Sequence, residues 1–395
     1  MTLRIGFSLD AQRVWMGGLS YYENLLSSIA LVRKPNEYRF IALVSGDTER
    51  FGNLLRHFDE VHHTPETVMV EKVRFTISQI LTSRKVTAWL TPEAIASRHF
   101  RKHRVDVAFL TKDPLANFRV PKVCWFPDFQ FLYYPEMFTP DDFKANKQAA
   151  TNIARYADRI ILNSNVVSDD FLRVAPDHAH KFFVLPFVAW IADEVYADNA
   201  ELVSQQYHLP EKFFYLPNQF WKHKNHKVVL EALVLTKSIS PDIKIVSSGI
   251  LEDYRDRQYP SEFVASISTH GVRDCFILLG LIPRRHVYGL MRRSLAVLQP
   301  SLFEGWSSSI EEAKSLGKRV IASDISVHRE QNAPDANYFD PHDPQQLADL
   351  LVKHYHEGRA GPELQREQSA HQSFLSRAES FGRNFLAVMS DVARK

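Results

Sequence analysis

The chain has 395 residues, of which 45% are hydrophobic and 24% charged, the proportions of a soluble globular protein. This length exceeds one ordinary hydrophobic core and predicts two domains of similar size. The formal net charge is only +2, so no overall positive field favours nucleic acid as a partner. The two cysteines, Cys124 and Cys275, lie in separate apolar runs and predict buried thiols rather than a disulfide framework.

Short apolar runs alternate with helical patterns along the chain, which predicts an α/β protein with parallel sheets covered by helices on both faces. In the first half the predicted strands are 3–8, 40–45, 67–72, 105–110, 122–126, 159–163 and 182–185. In the second half they are 213–216, 243–247, 276–280, 296–299 and 319–323. The less periodic stretch 187–210 between the two sets predicts a linker with one short helix.

The N-terminal region begins directly with a strand, and no apolar stretch is long enough to span a bilayer, so we expect a cytoplasmic protein. Gly17 and Gly18 follow this first strand and Asp10, and precede a helix predicted at 22–30. Two glycines at that place allow the backbone to approach a phosphate or a sugar. A simple turn is the alternative interpretation.

A basic segment extends from Arg84 to Arg104. Its six basic residues oppose one acidic residue, Glu93, and aromatic and aliphatic residues alternate with them; the segment contains Arg84, Lys85, Trp89, Leu90, Arg98, Phe100, Arg101, Lys102 and Arg104. Such a helix either presents a solvated face or makes peripheral contact with the inner face of a membrane.

A second basic stretch follows the strand at 213–216. Lys224 stands just before an apolar-periodic helix predicted from Val228 to Leu233. A lysine held at a helix N-terminus can pair with a phosphate as a point charge. A solvated basic loop is the alternative.

The most informative segment runs from Pro300 to Asp340. Glu304 and Glu312 are eight positions apart, and Ser307, Ser308 and Ser309 are strong N-cap residues, so a helix should begin near Ser308. Glu304 then lies on the preceding loop, beside Gly305, and the free N–H groups of the helix start suit a diphosphate. Two carboxylates that bind hydroxyls beside a phosphate cradle predict a nucleotide-sugar pocket. The alternative is a capping box, formed by Ser308 with Glu311 or by Ser309 with Glu312.

This segment also resembles a known family. Glu304-Gly305-Trp306, then Glu312-Ala313, Gly317 and a strand that ends at Ser323-Asp324 close to Glu330, resemble the donor-site signature of retaining glycosyltransferases of family four (group 1). The resemblance implies the GT-B fold, with two Rossmann-like domains facing a central cleft. We expect an acceptor-side domain at 1–190, a nucleotide-sugar donor domain at 191–370, and a C-terminal helix at 371–395 that crosses back to the first domain.

The resemblance also implies roles for individual residues. Glu312 would bind the ribose hydroxyls, and Glu304 would stabilise positive charge at the anomeric carbon. Lys224 and the N–H groups around Trp306, Ser307 and Ser308 would stabilise the departing diphosphate, while Leu281 and Ile282 would flank the base. Gln219 stands where the family usually has an arginine, and Lys222 or His223 is a candidate to compensate for it.

In the first domain Asp128 would orient the acceptor or the sugar, and Phe131 replaces a histidine that related transferases often carry. His62, His63 and His99 are isolated in the sequence and are interpreted as surface residues. We expect neither a metal nor a cofactor, since lysine and a helix N-terminus can neutralise the diphosphate.

The expected activity is transfer of a hexose from a nucleoside diphosphate donor to a saccharide or lipid-linked saccharide, in surface polysaccharide synthesis. The segment from Ser323 to Glu330 resembles bacterial mannosyltransferases and favours a GDP-sugar such as GDP-mannose. Two alternatives remain open: a nucleotide-sugar epimerase or hydrolase on the same fold, and a non-catalytic nucleotide-sugar-binding module.

Overall fold

The computed structural model describes residues 2–10, 16–64, 91–111, 118–253 and 255–394. The predicted strand at 67–72 and the basic and aromatic residues Arg84, Lys85, Trp89 and Leu90 lie outside these ranges. The chain forms two compact units. One comprises Met1–Phe129, Pro140–Val188 and Arg377–Lys395, and the other comprises Gln130–Thr139 and Ala189–Ser376.

The first unit is built on a seven-stranded parallel sheet with the order β3-β2-β1-β4-β5-β6-β7. Its strands are β1 (Leu3–Asp10), β2 (Tyr38–Ser45), β3 (Glu60–Thr64), β4 (Val107–Leu110), β5 (Lys122–Phe126), β6 (Arg159–Leu162) and β7 (Phe182–Val184). Its helices are α1 (Met16–Ala30), α2 (Pro92–Lys102), α4 (Pro140–Tyr156) and α5 (Asn165–Val174), with 3-10 turns at Glu49–His57 and Pro176–Lys181.

The core of this unit is aromatic. Phe7 on β1 contacts Phe109 on β4, with ring centroids 5.9 Å apart, and Phe385 of the C-terminal helix lies 5.0 Å from Phe109. Gly382 lets that helix approach α1 closely, since a Cβ there would lie 2.6 Å from the Ser28 carbonyl oxygen. The last residues of the chain are therefore part of the first unit's core.

The second unit is built on a six-stranded parallel sheet with the order β10-β9-β8-β11-β12-β13. Its strands are β8 (Phe214–Leu216), β9 (Ile245–Ser247), β10 (Phe276–Leu278), β11 (Val297–Gln299), β12 (Val320–Ser323) and β13 (Asn337–Phe339). Its helices are α3 (Gln130–Tyr133), α6 (Asp193–Ala197), α7 (Ala200–Gln206), α8 (His226–Thr236), α9 (Tyr259–Thr269), α10 (Arg284–Arg293), α11 (Ser308–Ser315), α12 (Ser326–Gln331), α13 (Pro344–Glu357) and the first part of α14 (Leu364–Ala393), with 3-10 turns at Pro135–Met137 and Lys222–Lys224.

Both faces of this sheet are covered. Along β8, Phe214 and Leu216 pack into one core cluster, while Tyr215 packs into another on the opposite face. This alternation follows from the two-residue period of a strand, and it requires helices on both sides. The predicted α/β class with parallel sheets is thereby confirmed.

Every strand predicted within the described ranges is present, with ends that differ by a few residues. The prediction missed β3 (Glu-Val-His-His-Thr) and the three-residue β13 (Asn-Tyr-Phe), which lie at sheet edges, where a long apolar run is not required. The linker contains two helices, α6 and α7, rather than one, because Asn199 caps a second helix start through its side chain. Cys124 is buried as predicted, but Cys275 is only half-buried.

Candidate active site

The second sheet reverses its strand order at β8. This strand lies between β9 and β11, and β11 is also paired with β12. In parallel α/β sheets, ligands bind at the carboxyl ends of the strands where the order reverses. The loops that leave β8 and β11, 217–224 and 300–307, therefore begin side by side at the position favoured for a ligand.

These two loops meet in one ion pair. Lys224 Nζ lies 2.5 Å from Glu304 Oε1, and the two side chains are only 16% and 9% exposed. The same Glu304 oxygen accepts hydrogen bonds from Gln299 Nε2 at 2.8 Å and from Ser301 Oγ at 2.7 Å. Two residues predicted to bind the donor, Lys224 and Glu304, are therefore in direct contact, and three side-chain donors hold Glu304 on its loop.

A buried polar layer supports Glu304. Ser323 Oγ donates to the Ser301 carbonyl oxygen at 2.5 Å, and His328 Nδ1 lies 2.9 Å from the Ser323 carbonyl oxygen. Burial lowers the pKa of His328 to about 4, so this ring is neutral at physiological pH. Because the Ser323 carbonyl oxygen can only accept a hydrogen bond, Nδ1 carries the proton of the ring. Sequence reasoning missed Gln299 and Ser323, although a polar residue at the end of a buried strand was a signal for both.

Helix α11 begins at Ser308, as predicted, but its cap is Ser307. Ser307 Oγ accepts from the Ile310 N–H, while Gln331 accepts from the Ser307 N–H at 3.0 Å and donates to its carbonyl oxygen at 2.9 Å. Neither predicted capping box forms. The Ser307 N–H is thus used within the protein, and helix geometry leaves the N–H groups of Ser308 and Ser309 without intrahelical acceptors.

Gly305 and Trp306, the other predicted donor-binding residues of this loop, lie buried and half-buried in front of the helix. The helix start is also tied to the neighbouring loop, because Ser309 Oγ donates to the Pro217 carbonyl oxygen. The N-terminal end of α11 therefore lies beside the loop that carries Lys224.

Glu312, the predicted ribose ligand, is buried on α11 and pairs with an arginine that the sequence reasoning overlooked. Arg284 Nη2 donates to Glu312 Oε1 at 3.1 Å, and its guanidinium also bonds the Tyr288 hydroxyl. Leu281, two-thirds exposed, and half-buried Ile282 lie just before Arg284 on the chain. The exposed Leu281 thus lies shortly before the arginine that pairs with Glu312.

Hydrogen bonds to Asp253 and Arg255 hold the loop that carries Lys224. Asp253 Oδ2 accepts from the Lys222 N–H, and Arg255 contacts both Asp253 Oδ1 and His223 Nδ1. Burial, together with nearby Lys224, lowers the pKa of His223 well below its usual value, so it contributes no positive charge. Lys222, the other candidate to compensate for the arginine that Gln219 replaces, is half exposed and pairs with Asp256. Gln219 itself is half-buried at the base of this loop.

The short segment Gln130–Thr139 packs against the same loops. Arg255 Nη1 donates to Gln130 Oε1 at 3.0 Å, and the Tyr133 ring packs at a tilt against Phe303, with ring centroids 5.1 Å apart. Tyr134 donates to the Leu302 carbonyl oxygen. Phe131, at the place of the expected histidine, is buried.

The remaining predicted residues belong to the first unit. Gly17 and Gly18 lie inside the first turn of α1 rather than before it, with Gly17 exposed and Gly18 buried. Asp128 is half-buried just after β5. The second unit thus brings together Lys224, Glu304, Gly305, Trp306, Ser308 and Glu312.

His63 is exposed, in line with the surface interpretation, whereas His62 is in contact with other residues of the first unit. The rings of His62 and His103 stack with centroids 3.5 Å apart, and Glu60 lies beside them with Arg4 and Arg39. Ligand atoms of Glu60, His62 and His103 lie within 4.8 Å of one another. Lone pairs in two nearly parallel rings do not converge on one ion, and two arginines already neutralise Glu60, so this geometry does not favour a metal.

Arg98, Arg101, Lys102 and Arg104 are exposed on or just after α2. Phe100, expected to alternate with them at a membrane, is instead fully buried against Phe118. Within the described ranges, no helix is both long and apolar enough to cross a bilayer.

Residues 200–370 match the family model of glycosyl transferases group 1. Anabaena HepE, solved with UDP and glucose, superposes with a TM-score of 0.67 at 17% identity over 99% of this chain and 98% of its own. A glycosyltransferase from Rickettsia africae gives a TM-score of 0.69 at 15% identity over 99% and 98%. WaaG, a glycosyltransferase of lipopolysaccharide biosynthesis, gives 0.60 at 16% identity over 98% of each chain.

No curated protein matches the sequence significantly. The identities to the solved structures are low, so their similarity concerns the fold. The family match covers the unit in which Lys224, Glu304 and the start of α11 converge. The chain therefore carries a glycosyl transferases group 1 domain at residues 200–370, in a two-sheet protein of the GT-B fold.

Proposed function

We propose that the chain is a retaining glycosyltransferase that moves a sugar from a nucleoside diphosphate to an acceptor hydroxyl without a metal ion. The observation that supports this most strongly is the Lys224–Glu304 pair beside the start of α11, at the reversal of strand order. Glu304 supplies the negative charge that favours a developing positive anomeric carbon. Lys224 and the N–H groups of Ser308 and Ser309 stabilise the negative charge of the departing diphosphate.

Glu312 binds the ribose in this proposal, with Arg284 paired to its carboxylate. Leu281 and Ile282 flank the base. In the first unit, Asp128 orients the acceptor or the sugar, and Gly17 and Gly18 let the backbone approach a phosphate or a sugar. The acceptor is a saccharide or lipid-linked saccharide of a surface polysaccharide. The exposed basic residues of α2 provide a peripheral contact with anionic lipid at the inner membrane face.

The donor sugar is best found by thermal shift, since a ligand at about 100 times its Kd adds about 2.7 kcal/mol of stability. UDP-glucose belongs in this screen because HepE was solved with UDP and glucose, and GDP-mannose belongs there because of the segment Ser323–Glu330. A chain that no nucleotide sugar stabilises would contradict the proposal.

The reaction is then tested with Glu304→Gln. We expect the variant to fold and its turnover to fall about 100-fold, the scale of losing one preorganised transition-state group. Release of nucleoside diphosphate must depend on an acceptor. Release without an acceptor would indicate a hydrolase, conversion of the donor sugar without release would indicate an epimerase, and donor binding without either would indicate a binding module. The anomeric configuration of the product, measured by NMR, tests retention.

A further inference from the structure

We propose that Gln299 is a positioning residue for Glu304, and that its amide determines which carboxylate oxygen remains available to the substrate. This inference rests on the glycosyl transfer proposed above. Gln299 is the last residue of β11 and is completely buried. Because Gln299 lies on a strand that is paired within the sheet, it is a rigid support for Glu304, five positions later on the loop.

The orientation of the Gln299 amide is fixed from both sides. Its oxygen accepts from Asn218 Nδ2 at 2.9 Å, and its nitrogen donates to Glu304 Oε1 at 2.8 Å and to Ser301 Oγ at 3.1 Å. An Asn NH2 group only donates and a carboxylate only accepts, so the opposite amide orientation would break both contacts. Asn218 on the β8 loop therefore orients Gln299, which in turn orients Glu304.

Three donors converge on Glu304 Oε1: Lys224 Nζ, Gln299 Nε2 and Ser301 Oγ. Among the described residues none donates to Oε2 of this carboxylate. The protein thus holds one oxygen and leaves the other for a sugar hydroxyl or the developing positive charge. When Lys224 turns to the diphosphate, Gln299 and Ser301 still hold Oε1.

A neutral amide suits this task better than a charged donor. It fixes the carboxylate by hydrogen bonding without cancelling its negative charge, whereas a second cation would weaken the electrostatic stabilisation that Glu304 provides. We therefore expect loss of the amide to affect turnover more than donor binding.

Two variants test this. Gln299→Met keeps the approximate length of the side chain and removes all three of its hydrogen bonds, and it should lower kcat about 10- to 100-fold, the range expected for a hydrogen bond to a charged group. KM for the donor should change by no more than about threefold, because Lys224 and α11 remain. Gln206→Met, at an exposed glutamine of α7 in the same unit, is the matched control and should behave like the wild type.

Gln299→Glu gives a readout that a merely structural role would not produce. Two carboxyl groups at this distance share a proton, which raises one pKa. While protonated, the new carboxyl still donates to Glu304, so turnover is retained at low pH. As pH rises through that raised pKa the donor is lost and the two charges repel, so turnover falls relative to the wild type.

The measurement is nucleoside diphosphate release with the full-length chain and the donor found by thermal shift, from pH 5.5 to 9. If both Gln299 variants keep wild-type kcat and pH profile while Glu304→Gln is impaired, the positioning role is refuted and the proposed function stands. If Glu304→Gln is unimpaired, both proposals fail. Should Gln299→Met not fold, the pH profile of Gln299→Glu decides the question alone.

Discussion

Lys224→Met separates the two tasks that the structure gives this lysine, pairing with Glu304 and binding the diphosphate. A charge-assisted hydrogen bond contributes about 1.5–3 kcal/mol, and each 1.4 kcal/mol is a factor of ten in affinity. We therefore expect the variant to bind UDP or GDP about 10- to 100-fold more weakly. The N–H groups at the start of α11 should retain the remaining affinity.

The effect on folding should be smaller. Removing one partner of a fully buried pair costs about 3–5 kcal/mol, because the other charge is left unsatisfied. Here Glu304 keeps Gln299 and Ser301 as donors, and both charged side chains keep some contact with solvent. We expect the free energy of unfolding to fall by about 1–2 kcal/mol, measured by urea denaturation.

Calorimetry with nucleotides and nucleosides is the direct assay. Uridine and guanosine lack the diphosphate, so their affinities should be equal in the wild type and Lys224→Met. Lys222→Met is the matched control, because Lys222 belongs to the same 3-10 turn but is half exposed and pairs with Asp256. Equal UDP affinity in wild type and Lys224→Met, or an equal loss in Lys222→Met, would refute the assignment of the phosphate to Lys224.

Three further predictions follow from other parts of the molecule. Gln219→Arg should tighten binding of the bare nucleotide, since a guanidinium can bond phosphate oxygens bidentately; weaker binding together with lower activity, in a folded variant, would show that the loop is aligned wrongly with the family. Arg101→Ala with Lys102→Ala should reduce binding to anionic vesicles about 30-fold, at about 1 kcal/mol per basic residue, and leave zwitterionic vesicles unaffected; unchanged sedimentation would exclude the α2 contact. Burial lowers the pKa of Lys318 from 10.5 to about 8, so the unfolded chain binds more protons between these values and the free energy of unfolding should rise with pH across them. Lys318→Met should flatten this rise in denaturant midpoints measured at pH 7.5 and 10.

The sequence predicted the sheets because buried parallel strands must be apolar on both faces. The same rule explains the misses: β3 and β13 are edge strands, where polar residues such as His62 and Asn337 are tolerated. The helix starting at Ser308 was predicted from local chemistry alone. Its cap was not, because three consecutive serines are equivalent in sequence, and the choice of Ser307 depends on Gln331, 24 positions away.

The side-chain partners in the candidate active site could not be predicted either, because they are far apart in the sequence. Arg284 is 28 positions from Glu312, and no local pattern marks the two as neighbours. The strand-order rule does place the loops after β8 and β11 side by side, so the proximity of Lys224 and Glu304 follows from topology once the order is known. Topology does not specify how many hydrogen bonds each side chain of the site makes with other residues of the protein.

The hydrogen bonds and charges around Glu304 also bear on Gln219, the uncharged residue that stands where the family usually has an arginine. In the pair at the strand-order reversal, one cation, Lys224, balances one carboxylate, Glu304, and the other donors to that carboxylate, Gln299 and Ser301, are neutral. Arg255, which contacts His223 of this loop, is buried against Asp253 and so adds no net charge. A diphosphate entering here meets Lys224 and the helix start, while the neutral amide keeps Glu304 in place as its lysine partner turns to the phosphate. An uncharged residue at 219 is consistent with this arrangement, because the carboxylate then keeps its full negative charge for the sugar.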